Sequence, residues 1–100
     1  MAKKEELFEK ETKYCKILKS VDLVDGDEIF ALEKIYIKSL AREEIRIALY
    51  KNCRDRERKF IARAVDIEQD KLIDLIVLGI KTGILDDKFK NQLKDFIAWL

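Results

Sequence analysis

The chain of 100 residues has no histidine, no proline and only three glycines. Without histidine it lacks the side chain that most often serves as base, proton shuttle or metal ligand near neutral pH. Ser-His and Cys-His nucleophile pairs cannot be assembled, and neither can the Glu-x-x-His pairs of a ferritin-like di-metal centre. Glu43 and Glu44 are paired in sequence, but on a helix adjacent side chains point about 100° apart and share no site. No catalysis, cofactor, metal or small-molecule substrate is expected.

Long apolar runs are also missing. No stretch of 18 apolar residues exists, so no transmembrane helix and no membrane partner are expected. Met1-Ala-Lys-Lys-Glu-Glu carries both charge signs and lacks the apolar core of a signal peptide. The two cysteines, Cys15 and Cys53, form no CxxC pair, which removes zinc-knuckle and thioredoxin-like readings. They read as small apolar core residues in a reducing compartment, the cytoplasm.

Charge of one sign is equally scarce. Lys and Arg total 21 against 20 Asp and Glu, a net charge of +1, so no global field favours DNA or a membrane. Charged residues make up 41% of the chain, against roughly 25% in an average globular protein. Lysine (15) and glutamate (10) are abundant and Asn plus Gln number four, a balance that fits growth at high temperature. A chain of this length buries roughly 60–70% of its unfolded surface, which supports one domain over residues 1–100.

With good helix formers throughout, the sequence reads as all-α, a compact bundle of four to six helices. A first helix is expected over about 4–19, with Leu7, Phe8, Tyr14, Cys15 and Leu18 on one side. Asp25-Gly26 is turn chemistry, and Asp25 stands three before Glu28, the spacing of a capping box. From Glu28 run two stripes, Ile29-Leu32-Tyr36-Leu40 and Phe30-Ile37-Ala41, and beyond Ser39 the pattern shifts to Ala41, Ile45, Ala48 and Leu49. The segment is either one long helix or two meeting near Ser39. Asn52–Lys59 reads as a loop or as an exposed continuation, and 56–65 as a short helix. Asp66 with Gln69 caps the next helix, which Gly83 ends with a Schellman signature. Asp86 opens the last helix, whose Phe89, Leu93, Phe96, Ile97 and Leu100 predict a docked amphipathic face.

Three constellations bear on function. The acids Asp22, Asp25, Asp27 and Glu28 surround Gly26 but fail the EF-hand spacing, and they read as capping acids. Phe60–Leu75 resembles a helix-turn-helix corner, with Asp66 where glycine is usual. Its second helix would present Glu68, Asp70 and Asp74 to a polyanion, so it reads as a corner and not as a DNA reader. All six arginines fall between positions 42 and 63, where eight cations face four acids. That window is either an ion-pair network or a surface for an anionic partner, RNA before DNA, with Arg54, Arg56, Arg58, Lys59 and Arg63 as contacts.

The leading expectation is a non-enzymatic protein-interaction protein that self-associates, as a homodimer, through Phe30, Ile37 and Ala41. The apolar circumference of 28–53 exceeds what so short a chain can cover. The alternative is a nucleic-acid-binding accessory protein that uses the 42–63 window.

Overall fold

A computed structural model describes residues 11–53 and 58–100. Four strands come first: β1 (Cys15–Asp25), β2 (Glu28–Ile37), β3 (Arg42–Asn52) and β4 (Arg58–Phe60). They form an antiparallel meander in the order β1-β2-β3-β4, followed by helices α1 (Gln69–Thr82) and α2 (Asp87–Trp99). The expected all-α bundle is thereby corrected: the segments of 15–52 expected as helices are strands, and among the described residues only the last two helices are present, the first with a later start than expected and the second without the docked face expected of it.

The hairpin turn between β1 and β2 is Gly26-Asp27, with Asp25 opposite Glu28. Gly26 sits at φ 64°, the positive value that the first central residue of a type II′ turn requires. Asp25 therefore begins a hairpin turn and caps no helix. Lys38–Ala41 joins β2 to β3, with Ala41 left-handed at φ 51°.

The sheet has two distinct faces. On one, Phe30, Leu32 and Leu49 form a core with Leu75 of α1 and with Ile84 and Leu85 of the inter-helix turn. On the other, Ile29, Ala31, Ala48 and Tyr50 form a second buried cluster. β2 is thus covered on both sides, and its residues 29–33 are all buried. A strand buried on both faces carries an unbroken apolar run in place of alternation.

Register explains how β1 serves both faces. Between Ile17 and Lys19 the pairing with β2 shifts, leaving Leu18 as the bulged residue. Cys15 and Ile17 then lie on the same face as Ser20, Asp22 and Val24, because each opposes an odd-numbered residue or Ala31-row neighbour on that face of β2.

α1 lies across β1 and β2. Gly79 is buried there, and a Cβ at this position would collide with Leu32 and Leu85. The end of α1 is as read: Gly83 is left-handed at φ 80° and its N–H donates to the Ile80 carbonyl. Its start is not. The N-cap is Glu68, which makes no side-chain cap bond, and Asp66 lies before it in irregular chain. Phe60 ends a strand and 61–68 form no helix, so no helix-turn-helix exists. Asp86 caps α2 as expected, accepting from the Phe89 N–H at 2.9 Å.

Candidate interaction surface

The sheet face opposite α1 carries a connected polar network. Glu33 of β2 is only 1% exposed yet bears a carboxylate. Its register neighbour Arg46 of β3 donates Nε–H to Oε1 at 2.8 Å, and the Tyr50 hydroxyl donates to Oε2 at 2.6 Å. Both oxygens are thus engaged, which a buried carboxylate requires. Burial pushes the Tyr50 phenol well above its ordinary range, and its bond to Glu33 adds to the shift. Burial opposes the charge on Arg46, but Glu33 outweighs it and holds Arg46 above its usual value, with help from Cys15. Arg46 also reaches Cys15 Sγ at 3.6 Å.

Arg58 extends the network across the sheet. Its guanidinium lies 4.5 Å from the Tyr50 ring centroid and meets both carboxylate oxygens of Asp22, at 3.1 and 3.3 Å. Asp22 is on one edge strand and Arg58 on the other. The residues beside Asp22 in its cross-strand row are Ala31 and Ala48, whose single methyl groups leave the guanidinium room to span.

The acids around Gly26 are each answered by a cation. Asp22 meets Arg58, Asp25 meets Lys71, Asp27 meets Lys51 and Glu28 meets Arg63. Lys71 also bonds Glu68, and these two carboxylates hold its amine above the usual lysine range. The hairpin tip therefore ties together β3, β4, the irregular segment and α1.

Of the anionic-partner residues named from sequence, the three that are described do not form one patch. Arg54 and Arg56 lie outside the described residues. Arg58 is committed to Asp22 and Tyr50, Lys59 projects beside Lys51 on β4, and Arg63 reaches toward Glu28 and Asp66. Arg42 and Arg46 likewise pair with Glu44 and Glu33. The self-association residues do not form one patch either. Phe30 is in the core, Ile37 ends β2 half-buried, and Ala41 is in the exposed loop.

A different surface was legible only as a core pattern. α2 has no buried residue. Phe89 lines a cleft of about 230 Å³ with Ile84, Leu85, Asp86 and four sheet residues, Lys34, Glu43, Glu44 and Ile45. From there the stripe leaves the body, with Phe96 68% and Trp99 89% exposed. Ile45 and Ile47 on the adjacent strand are 45% and 41% exposed. The spacing Phe89-Leu93-Phe96-Ile97-Leu100 was the available signal, and it marks an apolar face without saying what covers it.

Among the described residues no helix is long and apolar enough to cross a membrane. The chain matches no family model, no curated protein and no solved structure.

Proposed function

We propose that the protein works by binding protein, in the first place a second copy of itself, through the apolar stripe of α2. The observation that carries this reading is an amphipathic helix with no buried residue. A helix of 13 residues is marginal in water without packing, so α2 needs a surface to lie against. The stripe from Phe89 to Leu100 is about 16 Å long.

The free thiols of Cys15 and Cys53 fit a reducing compartment, the cytoplasm. The nucleic-acid alternative has less support. Each of Arg42, Arg46, Arg58 and Arg63 already meets a carboxylate that a phosphate would have to displace.

Sedimentation velocity across micromolar concentrations tests the reading. The expected species has twice the 11.8 kDa chain mass, and Phe96→Asp with Ile97→Asp returns it to a monomer with an intact sheet. A wild-type chain that stays monomeric throughout the range overturns the proposal.

A further inference from the structure

β4 pairs with β3 only over Tyr50, Lys51 and Asn52, and one further bond runs from the Ile61 N–H to the Leu49 carbonyl. Among the described residues nothing pairs with the outer edge of β3 from Arg42 to Ala48. Because the Leu49 carbonyl points outward, strand alternation turns the N–H and C=O groups of Ile47, Ile45 and Glu43 outward as well. This open edge borders the cleft from which α2 departs.

Resting on the self-association reading above, we infer that a second copy of this chain pairs antiparallel along the β3 edge, about a twofold axis at Ile45. The two sheets become one sheet of eight strands.

Charge selects this register. A twofold axis normal to the sheet keeps each residue on its own face, so only same-face residues can oppose each other. Centring on Glu44 would set Glu44 against its own copy and Arg42 against Arg46. Centring on Arg46 would set two Arg46 guanidiniums together. Centring on Ile45 sets Glu44 opposite the second copy's Arg46, twice, and Ile45 opposite Ile45. Opposite charges across a strand pair stabilise it and like charges do not. The outward backbone groups of Ile45, Glu43 and Ile47 are the ones this pairing uses. Edge charges usually ward off pairing, but here their order is self-complementary.

The same arrangement covers α2. Both α1 layers fall on one face, and each α2 starts at the seam beside Ile45. The exposed parts of Phe89, Phe96, Ile97, Trp99 and Leu100 amount to roughly 700 Å² per chain, close to the ~800 Å² that each partner contributes to a standard interface. Lys90 and Lys94 flank the stripe, and the sheet side of the cleft presents Glu43 and Glu44.

Three variants test the inference by sedimentation and by non-reducing electrophoresis. Ile45→Pro removes an outward N–H that no described strand of the same chain uses, so the sheet persists while dimerisation weakens at least tenfold. In a Cys15→Ala, Cys53→Ala background, Ile45→Cys forms a disulfide-linked dimer, because opposed Cα atoms would stand about 5.5 Å apart. Ile47→Cys does not, since its copies would be more than about 13 Å apart along the strands. Equal crosslinking of Ile45→Cys and Ile47→Cys, or a folded Ile45→Pro that dimerises like wild type, overturns the edge pairing. If Ile45→Pro loses its β-sheet circular dichroism, the cysteine pair alone decides. A wild-type monomer overturns the self-association reading itself, and a dimer lacking the Ile45 link overturns only this inference.

Discussion

The Tyr50 hydroxyl donates to Glu33 Oε2 at 2.6 Å, from β3 to β2, on the sheet face opposite α1. Arg46 occupies the other carboxylate oxygen, so one buried anion is held by one neutral and one charged donor. Tyr50→Phe removes the first and leaves a carboxylate oxygen buried without it. The expected cost is about 1–3 kcal/mol in urea unfolding near neutral pH.

That cost should shrink in alkali. The Tyr50 phenol is raised well above its ordinary value by burial and by Glu33. In the unfolded chain it ionises near pH ~10, and the folded state resists ionisation. The stability contributed by Tyr50 is therefore complete below that pH and falls as pH rises above it. Stability measured from pH 8 to pH 11 should converge for wild type and Tyr50→Phe at the alkaline end. Parallel curves would show that Tyr50 does not titrate differently on folding.

Arg46→Ala removes the charged partner and should cost more than Tyr50→Phe. Breaking a buried ion pair typically costs about 3–5 kcal/mol, and the lower end applies because the Arg46 side chain is itself a third exposed. Adding Glu33→Gln to Arg46→Ala should recover part of the loss, since no buried anion then remains. A double variant less stable than Arg46→Ala would mean that the carboxylate is held mainly by Tyr50.

Gly79→Ala tests the contact of α1 with the sheet. Helix propensity alone would make alanine better by about 1 kcal/mol. A Cβ at Gly79 collides with Leu32 and comes to 2.9 Å of Leu85 Cδ1, both in the buried core. Overpacking should win, with a net loss of about 1–2 kcal/mol in thermal or urea unfolding.

The paired arginines make a prediction about RNA. Since Arg42, Arg46, Arg58 and Arg63 each meet a carboxylate, no mobility shift of a single-stranded RNA is expected even at low salt. A shift that weakens steeply with salt and disappears with Arg54, Arg56 and Arg58→Ala would restore the nucleic-acid reading.

The C-terminal part of the fold was plain in the sequence. Gly83 and Asp86 are local signals: one supplies a left-handed end and the other a side-chain cap, and both operate as read. The sheet was missed for two reasons. β2 is buried on both faces, so Ile29 through Leu32 form a continuous run that also fits helical stripes. And Glu, Lys and Ala, which are weak strand formers, populate β1 to β3 heavily because their partners across the sheet neutralise or cover them.

Two signals did favour strands. Val21 and Leu23 bracket Asp22, and Ile45, Ile47 and Leu49 alternate with Glu44, Arg46 and Ala48. Asp25-Gly26 between apolar runs is a hairpin signal, and weighing it as a helix cap misassigned the first half of the chain. The Glu33–Arg46–Tyr50 network could not be read in advance. It depends on register, which joins residues 13 and 17 positions apart.

Leu18 has a consequence for how this sequence can change. In a loop, losing one residue shortens a path. Here the bulged residue is the extra one, because Ile17 and Lys19 oppose the consecutive residues Ile35 and Lys34 of β2. Its deletion would make Ile17 and Lys19 ordinary ladder neighbours and leave Cys15, Ile17, Ser20 and Asp22 on the face they share now. Lineages carrying this sheet should accept both substitution and loss of the residue at position 18, the loss yielding an unbroken β1–β2 ladder.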